Sequence, residues 1–181
     1  MNLVALVATA FWAMLPAYVP NNAAVLGGGG RPIDGGRVWR RSRLLGDGKT
    51  WRGTAFGIGT GIAVGLLLGI LREPVSALLG VPLPAFSAGA LVALPTGAMV
   101  GDIGASFLKR RTGRTRGRPL PGVDQLDFVV GALVLSLLLD PAWFGRVFSV
   151  PVIAIVLVVT PVLHVVTNGI AYWLGVKAEP W

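Results

Sequence analysis

Three aspartates carry the chemistry open to this chain: Asp102 in "PTGAMVGDIGASFLKRR", and Asp124 with Asp127 in "PLPGVDQLDF". An acid late in an apolar helix is a functional candidate, because an unpaired carboxylate is costly to bury there. Ser106 follows Asp102 one turn later, and Lys109 and Arg110 continue the same segment. Asp124 and Asp127 are three apart and share a helical face. The three acids together would make an oxygen-rich pocket for Mg²⁺, with one ion or two, the second monovalent or divalent, left open. Lysines and arginines around it would bind the phosphates that bridge the metal. Such a pocket suits phosphoryl or nucleotidyl transfer, with charge stabilisation as the main contribution. Two plainer readings stand beside this one. Asp102 could pair with Ser106 and Lys109 along its own helix. Asp124 could be an N-cap and Asp127 a first-turn acid favoured by the helix dipole.

A second stretch, "GDGKTWRG" from Gly46 to Gly53, holds a glycine-flanked lysine beside a second cation. It is not a Walker loop. The pattern G-x-x-x-x-G-K-[ST] needs a glycine where Arg43 stands, and a buried strand where "GRVWRRSRLL" is basic and interrupted.

The composition limits where this chemistry takes place. Of the 181 residues 54% are hydrophobic and 13% charged, against about 25% charged in a soluble domain. The chain therefore belongs to the membrane class. Cysteine is absent and histidine occurs once, which excludes disulfides, thiol catalysis and a multi-histidine metal site within the chain. A metal must be held by oxygen, which points to Mg²⁺, Ca²⁺ or Mn²⁺. Thirteen of the sixteen basic residues fall in two segments, Arg31 to Arg52 and Lys109 to Arg118. The positive-inside rule places both on the cytoplasmic side, although it does not explain their mixing with glycines and aspartates.

Five apolar segments position these residues: spans near 2–18, 54–71, 85–107, 124–139 and 147–174. The expected fold is all-α, a polytopic membrane protein with about five transmembrane helices and two basic cytoplasmic loops. The first segment lacks the positive start of a secretory signal, so it reads as a span with the N-terminus outside. "REPVSALLGVPLP" reads as a short outside loop, and the C-terminus falls on the cytoplasmic side with the basic loops. Segment 124–139 is short for a span, and Pro151 and Pro161 predict a kink or tilt in the last one. Gly57, Gly61, Gly65 and Gly69 recur every fourth position and predict a close helix-packing face, within the chain or between two copies in a homodimer. No internal repeat interrupts the chain, and 1–181 reads as one integral-membrane catalytic domain. Trp39, Trp51, Trp173 and Trp181 fit interfacial anchors.

At these residues the sequence resembles a known superfamily. "VGDIGASFLKRRTGRTRGRPLPGVDQLDF" is similar to the signature of the CDP-diacylglycerol synthases, a GD…S…KR stretch followed by PG…DRxD. "PNNAAVLGGGGRPIDGG", "LGDGKTWRG" and "AYWLGVKAEPW" resemble the archaeal branch, the CDP-archaeol synthases, over nearly the whole chain. The resemblance implies a membrane enzyme that joins CTP to an unsaturated, ether-linked isoprenoid glycerol phosphate and releases pyrophosphate. By position Asp124 and Asp127 match the acids of DRxD, Asp102 the acid of GD, and Ser106, Lys109 and Arg110 the S…KR positions. Gln125 departs from the arginine of DRxD, and Arg116-Gly117 stands where the bacterial and eukaryotic forms carry Lys-Asp, which removes one acid.

With that resemblance the residue chemistry converges on one mechanism. Mg²⁺ on Asp102, Asp124 and Asp127 would neutralise the reacting phosphates. Lys49, Arg52, Lys109 and Arg110 would hold the leaving pyrophosphate or the lipid phosphate. "GDGKTWRG" then reads as a phosphate loop of another kind, in which Gly46 and Gly48 admit the nucleotide, Lys49 is a point charge and Thr50 lies beside it. Asn21 and Asn22 could read cytosine, or simply make a turn after Pro20. The partners are CTP, the isoprenoid ether-lipid phosphate and membrane lipids, with no nucleic acid.

Other readings are weaker. A CDP-alcohol phosphotransferase needs D-G-x-x-A-R, and "DGGRV" at Asp34 lacks the Ala-Arg. A small membrane transporter of an anionic solute would carry polar or broken elements near the midplane and in both halves. Gly27 to Gly30 lacks the strand that a dinucleotide fold requires. His164 and Asn168, four apart on the last segment, read as a helix-to-helix hydrogen-bonding pair.

Overall fold

Asn2 starts the first helix, its side-chain oxygen accepting the Ala5 N–H at 2.8 Å. The computed structural model describes residues 2–40, 42–113, 122–173 and 175, without the side chains of 167, 168 and 171. Arg41, Arg114, Arg116, Gly117, Arg118, Trp181 and the side chain of Asn168 thus lie outside the described residues. Helix α1 (Leu3–Tyr18) continues almost at once into α2 (Pro20–Leu26). Proline suits a first helical position, where its missing N–H is not needed. Together they form a span of 24 residues, longer than the expected 2–18. Asn21 and Asn22 therefore sit in a helical turn, not in a loop.

Helix α3 (Trp51–Leu79) overturns one expectation. It runs through Arg72, Glu73 and Pro74 for 29 residues, where a loop was expected. A helix of that length measures about 43 Å at 1.5 Å per residue. The apolar thickness is only about 30 Å, so the charged turns reach the interface without breaking the helix. Gly80 ends it in the left-handed conformation, φ 65°, with the Val81 N–H closing on Ser76 O at 3.2 Å. Helix α4 (Ala88–Arg111) follows, capped by Ser87. Then come α5 (Val123–Leu139), α6 (Pro141–Val147) and α7 (Val150–Trp173).

Three helical stretches are long and apolar enough to cross a membrane, or four if α6 and α7, bent by 80°, count as one. Five is not reached among the described residues. Helix α5 has 17 residues, about 25 Å of helix. The kink or tilt expected in 147–174 has a counterpart in the 80° bend between α6 and α7, just before Pro151, while α7 continues through Pro161.

The core joins α1, α4, α5, α6 and α7 through Ala13, Met14, Leu94, Ala98, Val129, Ala132, Trp143 and Val152. Small residues dominate it, and they let helix backbones meet. A Cβ at Gly97 would lie 2.7 Å from Ala132 Cα, and one at Gly131 would lie 2.8 Å from Gly101 Cα. At Gly101 it would overlap the backbone oxygen of Asp127. On α3, Gly57, Gly61 and Gly65 pack in the same way against Pro20, Pro16 and Leu91, within the chain. Gly69 meets nothing within 4 Å, and the stripe instead begins at Gly53, against Ala24 O.

Between α2 and α3 a loop carries a small hairpin, β1 (Val38–Trp39) on β2 (Ser42–Arg43). Arg111, at the end of α4, donates to Trp39 O at 2.7 Å, Arg43 O at 2.9 Å and Ser42 Oγ at 2.9 Å. Its guanidinium also faces the Trp39 and Phe107 rings, 5.0 and 5.4 Å from their centroids. The first basic segment is thereby fastened to the start of the second. Inside the loop Asp34 is buried. Hydrogen bonds from Arg43 hold its carboxyl below the ordinary value of 3.8; burial opposes this, and the Gly46, Leu45 and Gly36 N–H groups add to it.

Two outcomes follow from this packing. Gly101→Ala should destabilise the detergent-solubilised protein by about 1–3 kcal/mol, since backbone must move to admit the methyl group. Gly69→Ala, whose methyl group meets no neighbour, should leave the thermal melt the same or raise it. Because the Asp34 pKa is depressed on folding, its stabilisation is present above the unfolded value and is lost as pH falls through the folded one. Hydrogen exchange at the Leu45 and Gly46 amides should stay slow from neutral pH down to about pH 4 and quicken only well below it.

Candidate active site

The close contact of α4 and α5 decides where the acids stand. Asp102 directly follows Gly101, whose backbone lies against Asp127. Asp102, Asp124 and Asp127 consequently line one chamber of about 560 Å³. Asn21, Asn22, Gly48, Lys49, Thr50 and His164 join them on its polar wall. Phe11, Leu15, Met99, Phe128 and Leu163 supply apolar wall. Phe11 lies about 15 Å further along the first span than Asn21, at 1.5 Å per residue. The chamber therefore reaches from the charged loop down between the membrane helices.

Each wall residue is placed by a local feature of the sequence. Thr50 caps α3, its hydroxyl accepting the Gly53 N–H at 3.1 Å, and this holds Lys49 at the helix start. The Ile33 N–H donates to Lys49 O at 2.9 Å. Lys49 Nζ meets Asp102 Oδ2 in an ion pair. Lys109 Nζ pairs with Asp124 Oδ1 at 2.9 Å, from α4 to α5. Asp102 is thus matched by the loop, not by Lys109 of its own helix. Helix α5 begins at Val123 after Gly122, with Gln125 Oε1 accepting the Gly122 N–H at 3.3 Å. Asp124 is therefore not an N-cap. Gln125, which stands where the superfamily pattern has an arginine, serves as half of a capping box.

Several expected site residues stand elsewhere. Gly46 turns its N–H to Asp34 at 3.1 Å, away from the chamber. Arg52 is exposed on the first turn of α3, and Ser106 is buried on α4; neither lines the chamber. Arg110 points its Nε toward Leu45 O at 3.5 Å, a weak contact that belongs to the loop. Lys109 reaches the chamber only through Asp124.

Three chamber residues escaped the sequence reading. Tyr18 and Thr160 share a hydrogen bond of 2.9 Å on its wall, and His164 lies one turn beyond Thr160. Thr160 and His164 are four apart on a largely apolar helix and share a face that lines the chamber. Tyr18 carried no such signal.

The donor set facing the chamber is carboxylate oxygen with one imidazole, which suits a hard cation. As placed, no three acidic or histidine side chains among the described residues stand close enough to hold one between them. Asp102 and Asp124 each hold a lysine instead.

The sequence matches the family described as CarS-like, CDP-archaeol synthase, over residues 3–181. The CDP-archaeol synthase of Halorubrum lacusprofundi is 66% identical over 97% of this chain and 98% of its own length. That of Halobacterium salinarum is 64% identical over the full length of both, and that of Methanococcoides burtonii 49% over 93% of this chain and all of its own. A solved intramembrane enzyme of archaeal membrane lipid biosynthesis superposes with a TM-score of 0.71 at 39% identity, covering 88% of this chain and 92% of the other. Matched by that family model over nearly its whole length and by relatives of 49–66% identity, the chain belongs to the CDP-archaeol synthase family.

Proposed function

We propose that the chamber is where this membrane protein, a CTP-dependent cytidylyltransferase of ether-phospholipid synthesis, performs its reaction. Its substrates are CTP and unsaturated archaetidic acid (digeranylgeranylglyceryl phosphate), and its products are CDP-archaeol and pyrophosphate. One observation carries the placement: a single cavity joins three aspartates and a loop lysine to an apolar wall between membrane helices. A lipid phosphate has both requirements, since its head is charged and its chains are not. The anion-transporter reading finds no support among the relatives.

The lipid phosphomonoester, with a second pKa of about 6, is largely dianionic at neutral pH and needs no strong base. One of its oxygens attacks the α-phosphorus of CTP. A new P–O bond forms, the bond to the β-phosphate breaks, and pyrophosphate carries away the electron pair. Lys49 is released from Asp102 to a phosphate oxygen as a compact cation. Lys109, paired with Asp124 across α4 and α5, is the second cation that could turn to a phosphate. Asp102, Asp124 and Asp127 would hold Mg²⁺, which when bound neutralises charge on the reacting phosphates. Asn21 Oδ1 is buried on the chamber wall with no hydrogen-bond partner among the described residues. Cytosine offers an amino donor there, whereas uracil offers a second acceptor. The polar end, with the loop from Arg31 to Lys49 and the end of α4 at Lys109 to Arg111, is assigned to the cytoplasmic side, where CTP is available.

Pyrophosphate release by the purified protein with Mg²⁺, CTP and digeranylgeranylglyceryl phosphate should depend on the lipid. Asp124→Asn should lower kcat by about 100-fold or more, the scale of losing one preorganised charge-stabilising group. Release unchanged by that substitution would return Asp124 to a purely structural role. Asn21→Ala should cut the preference for CTP over UTP by roughly tenfold, one good base contact, measured as the ratio of kcat/KM values.

A further inference from the structure

We propose that Asp34 is a positioning residue for Lys49: its carboxylate sets the fold of the loop that delivers the lysine to the chamber, and through Lys49 it governs the use of CTP. The proposal rests on the reading of Lys49 as a phosphate contact. Asp34 itself does not line the chamber.

The Asp34 side chain is wholly buried although Gly35, Gly36 and Arg37 beside it are exposed. It accepts five hydrogen bonds. Arg43 gives two, from Nη2 at 2.7 Å and Nε at 3.2 Å. The Leu45 and Gly46 N–H groups give 3.1 Å bonds to Oδ2, and the Gly36 N–H gives a 3.0 Å bond to Oδ1. A carboxylate offers about four lone-pair sites, so this one is saturated. An asparagine amide in its place would turn two of its own hydrogens on donors.

The connections leaving this knot run directly to Lys49. Gly46, held by its N–H to Asp34, accepts the Lys49 N–H on its carbonyl at 3.4 Å. Ile33, the residue before Asp34, donates to Lys49 O at 2.9 Å. Trp51 N–H then closes on Arg31 O at 3.2 Å. Lys49 is thus fastened on both sides of its backbone by residues that Asp34 holds together. None of the described loop residues from 27 to 50 belongs to the main apolar core. A fully satisfied buried carboxylate here fixes the path of the loop, not the helix bundle.

The test is a double-mutant cycle on the full-length protein, read as kcat/KM for CTP in pyrophosphate release. Lys49→Ala and Asp34→Asn should each lower it by about tenfold or more, and the double variant should fall within about twofold of Lys49→Ala alone, because two residues acting through one contact are not additive. Losses that multiply would overturn the proposal, as would an Asp34→Asn enzyme with wild-type kcat/KM. A Lys49→Ala enzyme of wild-type kcat/KM would instead defeat the phosphate reading of Lys49 and take the proposal with it. Should Asp34→Asn fail to fold, Arg43→Lys serves, since it keeps the charge but loses the two-pronged contact. Its smaller loss should likewise vanish in the Lys49→Ala background, and persistence there would overturn the proposal.

Discussion

The backbone contact between α4 and α5 is the constraint on which the chamber depends. Gly97, Gly101 and Gly131 let the two helices approach until main chain touches main chain, and any Cβ at these positions meets the neighbour's backbone. Asp102 follows Gly101 on one helix, and Asp124 and Asp127 begin the other. A wider spacing would leave each acid on its own surface. Dispersion over this close-packed strip, not burial of large side chains, is what favours the contact in an apolar solvent.

Gathering three carboxylates at the end of membrane helices has an electrostatic cost. A single acid at a helix centre costs about 2.5–3.5 kcal/mol on insertion scales, and mutual repulsion adds to it. Two lysines answer two of the three acids, Lys49 from the loop and Lys109 from α4. Both ion pairs are partly exposed, with side chains 19–25% accessible, so they remain exchangeable for substrate phosphates or a metal ion. A fully dry pair would be costlier to form and harder to open. Partial wetting suits a site that must trade its internal cations for a nucleotide.

The loop between α2 and α3 contributes chemistry more than stability. Arg111 fastens its hairpin to α4 by hydrogen bonds and ring contacts, and Asp34 ties its interior. Most of its remaining cations are exposed. The loop therefore presents one lysine to the chamber, ties Arg43 to Asp34 inside itself, and leaves Arg31, Arg37 and Arg40 exposed.

By itself the sequence determined the membrane class, the helical fold and the family, and it singled out the three acids and Lys49 that line one chamber. Those follow from a deficit of charge, from long apolar runs and from motifs that survive in one dimension. It also marked Gly57, Gly61 and Gly65 as a packing face, because a four-residue period is visible along a helix. Tertiary structure decided the rest. Pro74 looked like a helix breaker, yet α3 runs through it, since its excess length puts those charged turns in the interface. Gly69 kept the period but faces open space, while Gly97, Gly101 and Gly131, spread over two helices, set the distance between the acids. Which lysine pairs with which aspartate, the turning of Gly46 to Asp34, and the place of Tyr18, Thr160 and His164 on one wall all depend on contacts between residues far apart in the chain. Spacing along a single helix carries no record of them.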